Sequence, residues 1–413
     1  MESVKELKII LANIPIRNAN RGCVALSISS MYIIREILNK HHIKHEFFLP
    51  DSGFNNNGKH TYDIAGDLLE FQSCNYADWS NFKTSLKQLA LWVLKRNEYN
   101  ENRNIFKKAD FIFDIGQGDS FADIYGKERF DMIDKIHKVA RKTNTPYCIL
   151  PQTMGPFKNE QIKAQAIESI NKADLVMARD VQSLSFIKEN CPDIVSDEYI
   201  DVAFFMPYKK QIFSSDFIHV GINVSSLLWH GGYTQKNQFG LKCDYQQLIY
   251  DTLEFFLNIP NVKIHLIGHV VSGESDIEND YEVCYHLANK YASEKVVLAP
   301  LFLSPIFAKN YIAGMDFFTG ARMHAAIAAF SSGVAVFPMA YSRKFNGLFE
   351  DTLSYPYMGD LVNQDLEAML NGMKQAFEQR ESLKQIISER MNGVVEEKKE
   401  LITTNISNFL KLK

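Results

Sequence analysis

Three stretches of the chain repeat one arrangement, in which an aspartate precedes a short apolar run that ends in a polar loop. The aspartates are Asp110, Asp174 and Asp316, and their runs end in the sequences GQG, ARD and GARMH. Short apolar runs that alternate with longer helical patterns are typical of α/β proteins with buried parallel strands. Because ligands bind beyond the carboxyl ends of such strands, we expect these loops to carry function.

Two α/β series follow one another along the 413 residues, and this length suggests two domains. Residues 207–215 are polar and lack periodicity, which predicts a connection between the series. We predict an N-terminal Rossmann-like domain over 1–206, a linker over 207–215, a C-terminal Rossmann-like domain over 216–365 and a helical tail over 366–413. If the two parallel sheets face a central cleft, the three loops open into it.

Three local features complete the predicted architecture. A helix is expected over 63–103, with Trp79 and Trp92 as packing residues, and a strand near 199–205. The end of the tail is expected to pack on the first domain, with an amphipathic helix at a membrane surface as the alternative.

Charge and cysteine spacing exclude several classes of function. Lys and Arg total 45 and Asp and Glu total 49, and this net charge of −4 argues against a general nucleic-acid binder. The six cysteines include no Cys-x-x-Cys pair, so neither a zinc knuckle nor a disulfide framework is expected. With no predicted signal peptide or membrane span, we expect a cytoplasmic protein that can contact the inner face of a membrane. The oligomeric state stays open.

The segment FFTGARMH, residues 317–324, is the most informative motif. A buried strand turns through Gly320 into an alanine-rich helix, and Arg322 and His324 fall in the first helical turn. Helix N-termini attract anions, and an arginine there can grip phosphate or carboxylate in bidentate fashion. A histidine with an unperturbed pKa of about 6.5 can donate a proton nearby. The alternative is an arginine paired with a structural carboxylate and a histidine that caps a turn.

Further cations follow two other predicted strands. Arg179 ends one strand, and Asp180 beside it either holds the guanidinium or caps the next helix. Tyr341, Ser342 and Lys344 follow a second strand, where Lys344 is a point charge suited to phosphate or a solvated surface cation.

Polar loops at three strand ends of the N-terminal half predict a sugar site. Their glycines allow close approach, and their side chains offer donors and acceptors for hydroxyl groups, but the glycine spacing is not a dinucleotide fingerprint. The candidate acceptor-binding residues are Asn20, Arg21, Gly116, Gln117, Gly118, Asp119, Gln152 and Thr153.

Two histidines four residues apart, His265 and His269, do not predict a metal site. On a strand they lie about 13 Å apart at ~3.3 Å per residue, too far to share one ion. His269, at the strand end, can still face the predicted cleft. No metal ligand set is predicted anywhere in the sequence.

In their order along the chain, these motifs resemble the polysaccharide pyruvyl transferase family over roughly residues 8–360. The resemblance rests on NRG near the first loop, DFIFDIGQGDSF, ILPQTMGPF, ADLVMARDVQS, the end of the first half at Asp201, Ala203 and Phe204, VGINVS, FFTGARMHAAIAA and AYSRKFNG. The chain departs from the family in two places. GQG replaces a frequent Gly–Gly pair, and residues 334–336 lack a common proline.

The resemblance implies a GT-B-like fold and transfer of a pyruvyl group from phosphoenolpyruvate to a sugar, usually as a cyclic ketal. It places phosphoenolpyruvate, a substrate rather than a cofactor, on Arg179, Arg322 and His324. To these we add, as further donor-binding candidates, Tyr341, Ser342 and Lys344. The N-terminal loops would face the sugar of a surface polysaccharide or its lipid-linked precursor. His324 and Arg322 are the candidate catalytic residues, with His324 as general acid; no metal is implied.

Two other functions remain open at this point. A GT-B glycosyltransferase that uses a nucleotide sugar is the first alternative. Glu274 and Glu282 have the Glu-x7-Glu spacing of retaining members, but they precede Val296 and lie in the wrong context. The second is a non-catalytic sugar-binding protein, whose signature would be loss of the cationic residues.

Overall fold

The structure is a computed structural model that describes residues 6–50, 57–74, 104–273 and 276–412. Its contacts divide the chain into two compact units. Unit 1 comprises Met1–Arg17, Leu26–Asp201 and Glu400–Lys413, and unit 2 comprises Asn18–Ala25 and Val202–Lys399. Each unit carries one sheet with helices, as the sequence predicts for two Rossmann-like domains.

In the part of unit 1 that the structure describes, the sheet has seven strands in the order β3-β4-β2-β1-β5-β6-β7. Neighbouring strands of this sheet pair in parallel, apart from the antiparallel hairpin β3–β4. The strands are β1 (Leu7–Ala12), β2 (His45–Leu49), β3 (Gly58–Ile64), β4 (Asp67–Ser73), β5 (Phe111–Asp114), β6 (Tyr147–Gln152) and β7 (Leu175–Ala178). Every residue of β5 and β6 is buried, which explains why both strands begin with an unbroken apolar run.

Two helices of unit 1 begin with side-chain N-caps. Asp180 accepts a hydrogen bond from Ser183 N at 2.8 Å, so it is the N-cap of the helix that follows β7. Asn159 caps the preceding helix in the same way. Helices that lie wholly within the described residues are α1 (Arg21–Lys40), whose first residues belong to unit 2, α2 (Lys127–Thr143), α3 (Glu160–Asn171) and α4 (Val181–Asn190).

The sheet of unit 2 has six parallel strands in the order β10-β9-β8-β11-β12-β13. Its strands are β8 (Ile218–Asn223), β9 (Val262–Ile267), β10 (Val296–Leu298), β11 (Phe317–Gly320), β12 (Ala335–Ala340) and β13 (Gly359–Asp360). Its helices are α5 (Ser226–Trp229), α6 (Tyr245–Leu257), α7 (Asp280–Tyr291), α8 (Pro305–Ile312), α9 (Met323–Phe330), α10 (Arg343–Phe345), α11 (Leu366–Glu378), α12 (Arg380–Arg390) and α13 (Glu396–Phe409), whose end lies in unit 1.

The boundary between the units differs from the predicted one. Val202–Phe205 forms a 3-10 helix rather than the end of a strand, and it belongs to unit 2. Lys309, which is buried on α8, holds this turn by donating to the carbonyl oxygen of Met206 at 2.8 Å. The long segment of unit 2 therefore begins at Val202, before the predicted linker over 207–215.

The helix predicted over 63–103 is corrected in its first part. Residues 58–73 form the hairpin β3–β4, because Leu69, Phe71 and Ser73 are buried at alternate positions, which is the period of a strand. The remainder of that prediction, with Trp79 and Trp92, lies outside the described residues.

The tail is also divided differently from the prediction. Residues through Lys399 belong to unit 2, and only Glu400–Lys413 returns to unit 1. There the ring of Phe409 packs edge-on against Phe111 and Phe113 at centroid distances of 5.2 and 5.3 Å. Among the described helices, none is long and apolar enough to cross a membrane.

Candidate active site

The ends of three neighbouring strands in unit 2 position the arginine of the GARMH motif. Arg322 N donates to Asn223 Oδ1 at 3.0 Å, and Asn223 Nδ2 donates to Ile267 O at 2.9 Å, which ties β11, β8 and β9 together. A Cβ on Gly320 would lie 2.6 Å from Asn223 Cβ. Glycine at position 320 therefore allows the two strand ends to approach.

Asp280, at the start of α7, holds the guanidinium of Arg322. Arg322 Nη2 lies 2.7 Å from Asp280 Oδ1, and Nε lies 3.1 Å from Oδ2. The same carboxylate accepts backbone hydrogen bonds from Ser226 and Val270, each at 2.9 Å. Burial opposes the arginine's charge, but the carboxylates of Asp280 and Glu278 outweigh it and raise the pKa of Arg322. Arg322 therefore does pair with a structural carboxylate, and this pairing fixes its orientation.

Arg322 is also the N-cap residue of α9, and its side chain makes no capping hydrogen bond. The first backbone N–H groups of a helix and its dipole give this end a partial positive charge. The predicted combination of arginine and helix N-terminus is thus present in unit 2.

The segment Asn18–Ala25 belongs to unit 2. Asn20 forms an antiparallel bridge with Val270, and Arg21 N donates to His269 O at 3.2 Å. The sequence predicts that Asn20 and Arg21 lie with the acceptor loops of the N-terminal domain. This placement is corrected, because their backbone hydrogen bonds hold both residues in unit 2.

His324 packs directly on this segment. A Cβ on Gly22 would lie 2.4 Å from His324 Nδ1, so the imidazole occupies the space that any other residue would need. Gly22 N donates to Asn20 Oδ1 at 2.9 Å, and Arg21 Nε donates to Phe302 O at 2.8 Å. These two hydrogen bonds hold Asn20 and Arg21, the residues that precede Gly22. His324 itself is half-buried.

These residues form what we call the cationic cluster, defined by Arg21, His269, Arg322 and His324. Its electrostatic effect is visible at His269, which is 3% exposed. Burial first, and then the positive charges of His324, Arg322 and Arg21, lower the pKa of His269 to about 3. Burial disfavours a charge of either sign, but the contribution of the three cations would favour an anion at this place.

Tyr341 contributes to the surroundings of Arg322, since its phenol is among the groups that shift the pKa of Arg322. Its ring packs on Phe239 and Phe345 at 5.1 and 5.8 Å. Ser342 is the N-cap residue of the short helix α10, and Lys344 within that helix is half-buried.

Tyr233 and Glu278 flank the same guanidinium, and neither they nor Asp280 are among the residues predicted from the sequence. The Tyr233 hydroxyl donates to Glu278, whose Oε2 lies 3.7 Å from Arg322 Nη1. Burial and this carboxylate raise the pKa of Tyr233. No motif marks these three residues, because they come from loops and a helix start far from Arg322 in the chain.

Unit 1 has its own polar centre, built on the fully buried Asp114 at the end of β5. Asp114 Oδ1 accepts from Asn13 Nδ2 at 2.6 Å and from Gly116 N at 3.0 Å. Asp114 Oδ2 accepts from Gln152 Nε2 at 3.3 Å and pairs with His137 Nε2 at 3.0 Å. The loops after β5 and β6, both predicted acceptor loops, therefore share one carboxylate.

The loop Gly116–Gln117–Gly118 has the left-handed backbone that its glycines suggest, with φ values of 51°, 51° and 92°. A Cβ on Gly116 would lie 1.5 Å from Gln152 Oε1, and Thr153 N donates to Gly118 O at 2.8 Å. These five candidate residues therefore lie together. The sixth of this unit, Asp119, accepts a hydrogen bond from the Tyr125 hydroxyl at 2.9 Å.

Arg179 lies beside these loops in unit 1. Its Nη1 donates to Asp201 Oδ2 at 2.8 Å, and its Nη2 donates to Thr153 Oγ1 at 2.6 Å. Asp201, rather than the neighbouring Asp180, holds the guanidinium. A Cβ on Gly118 would lie 3.2 Å from Nη1, which places the arginine next to the glycine loop.

The stability of unit 1 is expected to depend on pH through His137, which bridges Asp114 and Asp134. Burial alone would lower the pKa of His137, but the two carboxylates outweigh it and raise the pKa from 6.5 to about 9. Because the folded-state pKa is the higher one, the stabilisation is complete below pH 6.5 and is lost as pH rises through 9. Its size is on the order of 3 kcal/mol.

Denaturant unfolding at several pH values between 6 and 9 checks this prediction. The wild-type unfolding free energy should fall with rising pH, and the His137→Gln variant should be less stable at pH 6 and vary less. His286→Gln, at a histidine whose side chain is 70% exposed, serves as the control. Parallel stability curves for wild type and His137→Gln would contradict the prediction.

Among the described residues, no group of three or more His, Cys, Asp or Glu side chains could hold a metal ion. Glu274, one half of the glutamate pair noted above, lies outside the described residues. Glu282 makes a long contact of 3.9 Å with His286.

Comparison with solved structures identifies the fold. A protein assigned as UDP-N-acetylglucosamine 2-epimerase from Listeria monocytogenes aligns with a TM-score of 0.61 at 9% identity, over 99% of this chain and 98% of its own. Sucrose-phosphate synthase from Thermosynechococcus elongatus aligns with a TM-score of 0.57 at 10% identity, over 98% of both chains. UDP-GlcNAc 2-epimerase from Neisseria meningitidis, bound to UDP-GlcNAc, aligns at 0.57 and 11% identity, over 99% of this chain and 100% of its own.

At such identities the likeness establishes a GT-B-like α/β fold and nothing finer, as the sequence predicted. No curated protein matches the sequence. The sequence itself matches the family described as polysaccharide pyruvyl transferase over residues 20–343, a range that includes the cationic cluster and both acceptor loops of unit 1. The chain therefore belongs to the polysaccharide pyruvyl transferase family.

Proposed function

We propose that the protein transfers the pyruvyl group of phosphoenolpyruvate to a sugar, forms a pyruvate ketal and releases phosphate. The observation that carries this proposal is the cationic cluster at the N-terminus of α9, where Arg322 is fixed by Asp280 at 2.7 Å. Phosphoenolpyruvate carries a phosphate and a carboxylate, and a buried arginine beside a helix N-terminus is suited to such a ligand.

His324 is the proposed general acid. Ketal formation begins with protonation of the enol carbon, and the first sugar hydroxyl then forms a C–O bond at the neighbouring carbon. The bond to phosphate breaks, phosphate leaves with the electron pair, and the second hydroxyl closes the ring. The two hydroxyl protons pass to a base and to the leaving phosphate. A half-buried histidine within the cluster can supply the first proton.

Tyr341, Ser342 and Lys344 are proposed to complete the donor site, and Tyr341 is supported by its electrostatic interaction with Arg322. The predicted role of Arg179 in donor binding stays a prediction, because its contacts with Asp201 and Thr153 lie within unit 1.

The acceptor is proposed to use the loops of unit 1 that share Asp114. Gly116, Gln117, Gly118, Gln152 and Thr153 offer backbone and amide groups of the kind that bind sugar hydroxyls. We propose a surface polysaccharide or its lipid-linked precursor as the acceptor, and the cytoplasm or the inner face of the membrane as the location. The reaction is proposed to need neither a metal nor a cofactor.

Incubation with phosphoenolpyruvate and a panel of sugar acceptors tests the proposal directly. We expect phosphate release that depends on the acceptor, and a product heavier by one pyruvyl ketal in mass spectrometry. Arg322→Ala and His324→Ala should abolish phosphate release while the far-ultraviolet circular dichroism stays unchanged. Full activity of His324→Gln would contradict the role of His324 as acid.

The same assay separates the proposal from its main alternative. The fold neighbours include proteins named as nucleotide-sugar enzymes, so a panel of nucleotide sugars is the second arm of the experiment. Transfer from a nucleotide sugar, with none from phosphoenolpyruvate, would establish a glycosyltransferase instead. Binding of sugars without turnover of any donor would favour a non-catalytic sugar-binding protein.

A further inference from the structure

His269 is a buried histidine at the end of β9 that the proposed chemistry does not yet use. The residue is held at both backbone groups. Its N–H donates to Asp280 Oδ2 at 3.2 Å, and its carbonyl oxygen accepts from Arg21 N at 3.2 Å. Its position is thus fixed by the carboxylate that holds Arg322 and by the segment that packs on His324.

The ring of His269 lacks the partner that a buried imidazole normally has. Only 3% of the residue is exposed, and within the described part of the chain its hydrogen bonds are made by the backbone alone. Asp280, which accepts a hydrogen bond from the backbone N–H of His269, is also engaged by Arg322 and by the N–H of Val270. A ring nitrogen that has no hydrogen-bond partner among the described residues is available to a ligand.

The charges around His269 determine which ligand suits it. Arg21, Arg322 and His324 all disfavour a proton on this ring, as the lowered pKa reflects. The imidazole is therefore neutral at ordinary pH, with one N–H donor and one acceptor nitrogen. A neutral donor among cations fits an anionic oxygen, and it cannot serve as the acid.

We propose that His269 binds the anionic donor substrate through a neutral ring N–H, while His324 supplies the proton. This inference rests on the proposed function, and it assigns separate roles to two histidines of one cluster. It predicts that the affinity for phosphoenolpyruvate depends on an N–H donor at position 269 and not on a titratable group there.

A matched pair of variants tests this role. His269→Gln keeps an N–H donor, whereas His269→Met has a similar length and offers none. By calorimetry, phosphoenolpyruvate should bind His269→Gln within a few-fold of wild type and His269→Met about 10-fold more weakly or worse, as expected for loss of a hydrogen bond to a charged group. The pH profile of His269→Gln should follow that of wild type.

Thermal unfolding of both variants controls for the fold, and His286→Ala on the exposed face of α7 controls for the substitution itself. Equal phosphoenolpyruvate affinities in the Gln and Met variants would overturn this inference alone. A wild-type protein that does not bind phosphoenolpyruvate would overturn the proposed function, and this inference with it.

Discussion

Asp280→Asn is expected to lower acceptor-dependent phosphate release by about 100-fold or more, since small displacements of a positioning group have costs of that size. The carboxylate is fully buried and orients the guanidinium of Arg322 through bonds of 2.7 to 3.2 Å. Asparagine would place an amide NH₂ group, which is a donor, where one carboxylate oxygen now accepts hydrogen bonds from Arg322 and from backbone N–H groups. It would also leave the buried charge of Arg322 without its main partner, which is expected to lower the free energy of unfolding by about 3 kcal/mol.

Steady-state kinetics and denaturant unfolding of the same preparation measure the two effects. Asp251→Asn is the matched control, because Asp251 lies on α6 in the same unit and accepts a hydrogen bond from Gln247 at 2.7 Å without contacting the cluster. The control should keep wild-type turnover and stability. Wild-type phosphate release by Asp280→Asn would show that Arg322 needs no such partner.

Much of the fold was predictable because its strands are buried on both faces. Runs such as those that begin β5 and β11 are apolar, and the polar residues at their ends and in the loops that follow mark the ends of the strands, where the candidate site residues lie. The hairpin β3–β4 was missed, since its alternating residues Leu69 and Phe71 lie in a stretch that reads equally well as an amphipathic helix.

Site residues supplied by motifs were predictable, and those supplied by tertiary contacts were not. Arg322 and His324 stand in one short segment, but Asp280 is 42 residues before Arg322 and has no marker of its own. The segment Asn18–Ala25 follows the first strand in the sequence, and for this reason the sequence predicts that it belongs to the N-terminal domain. Its bridge to Val270, a long-range pairing invisible in the sequence, places it in unit 2 instead.

Gly22→Ala, by contrast, should uncouple activity from stability. Gly22 lies in the first turn of α1 with an ordinary helical backbone, where alanine is favoured over glycine by up to about 1 kcal/mol. The added Cβ would nevertheless lie 2.4 Å from His324 Nδ1 and 2.9 Å from Cγ, closer than real Cβ contacts, which do not fall below 3.0 Å. The imidazole must therefore move, and turnover should fall by about 100-fold.

The measurement pairs turnover with thermal unfolding, because an unfolded variant would also be inactive. We expect Gly22→Ala to unfold at or near the wild-type temperature while it releases almost no phosphate. Gly393→Ala is the control, since a Cβ there would meet nothing within 4 Å, and it should behave as wild type in both assays. Wild-type turnover in Gly22→Ala would mean that His324 can leave its position against the helix without loss of function, and its proposed role as the acid would have to be abandoned.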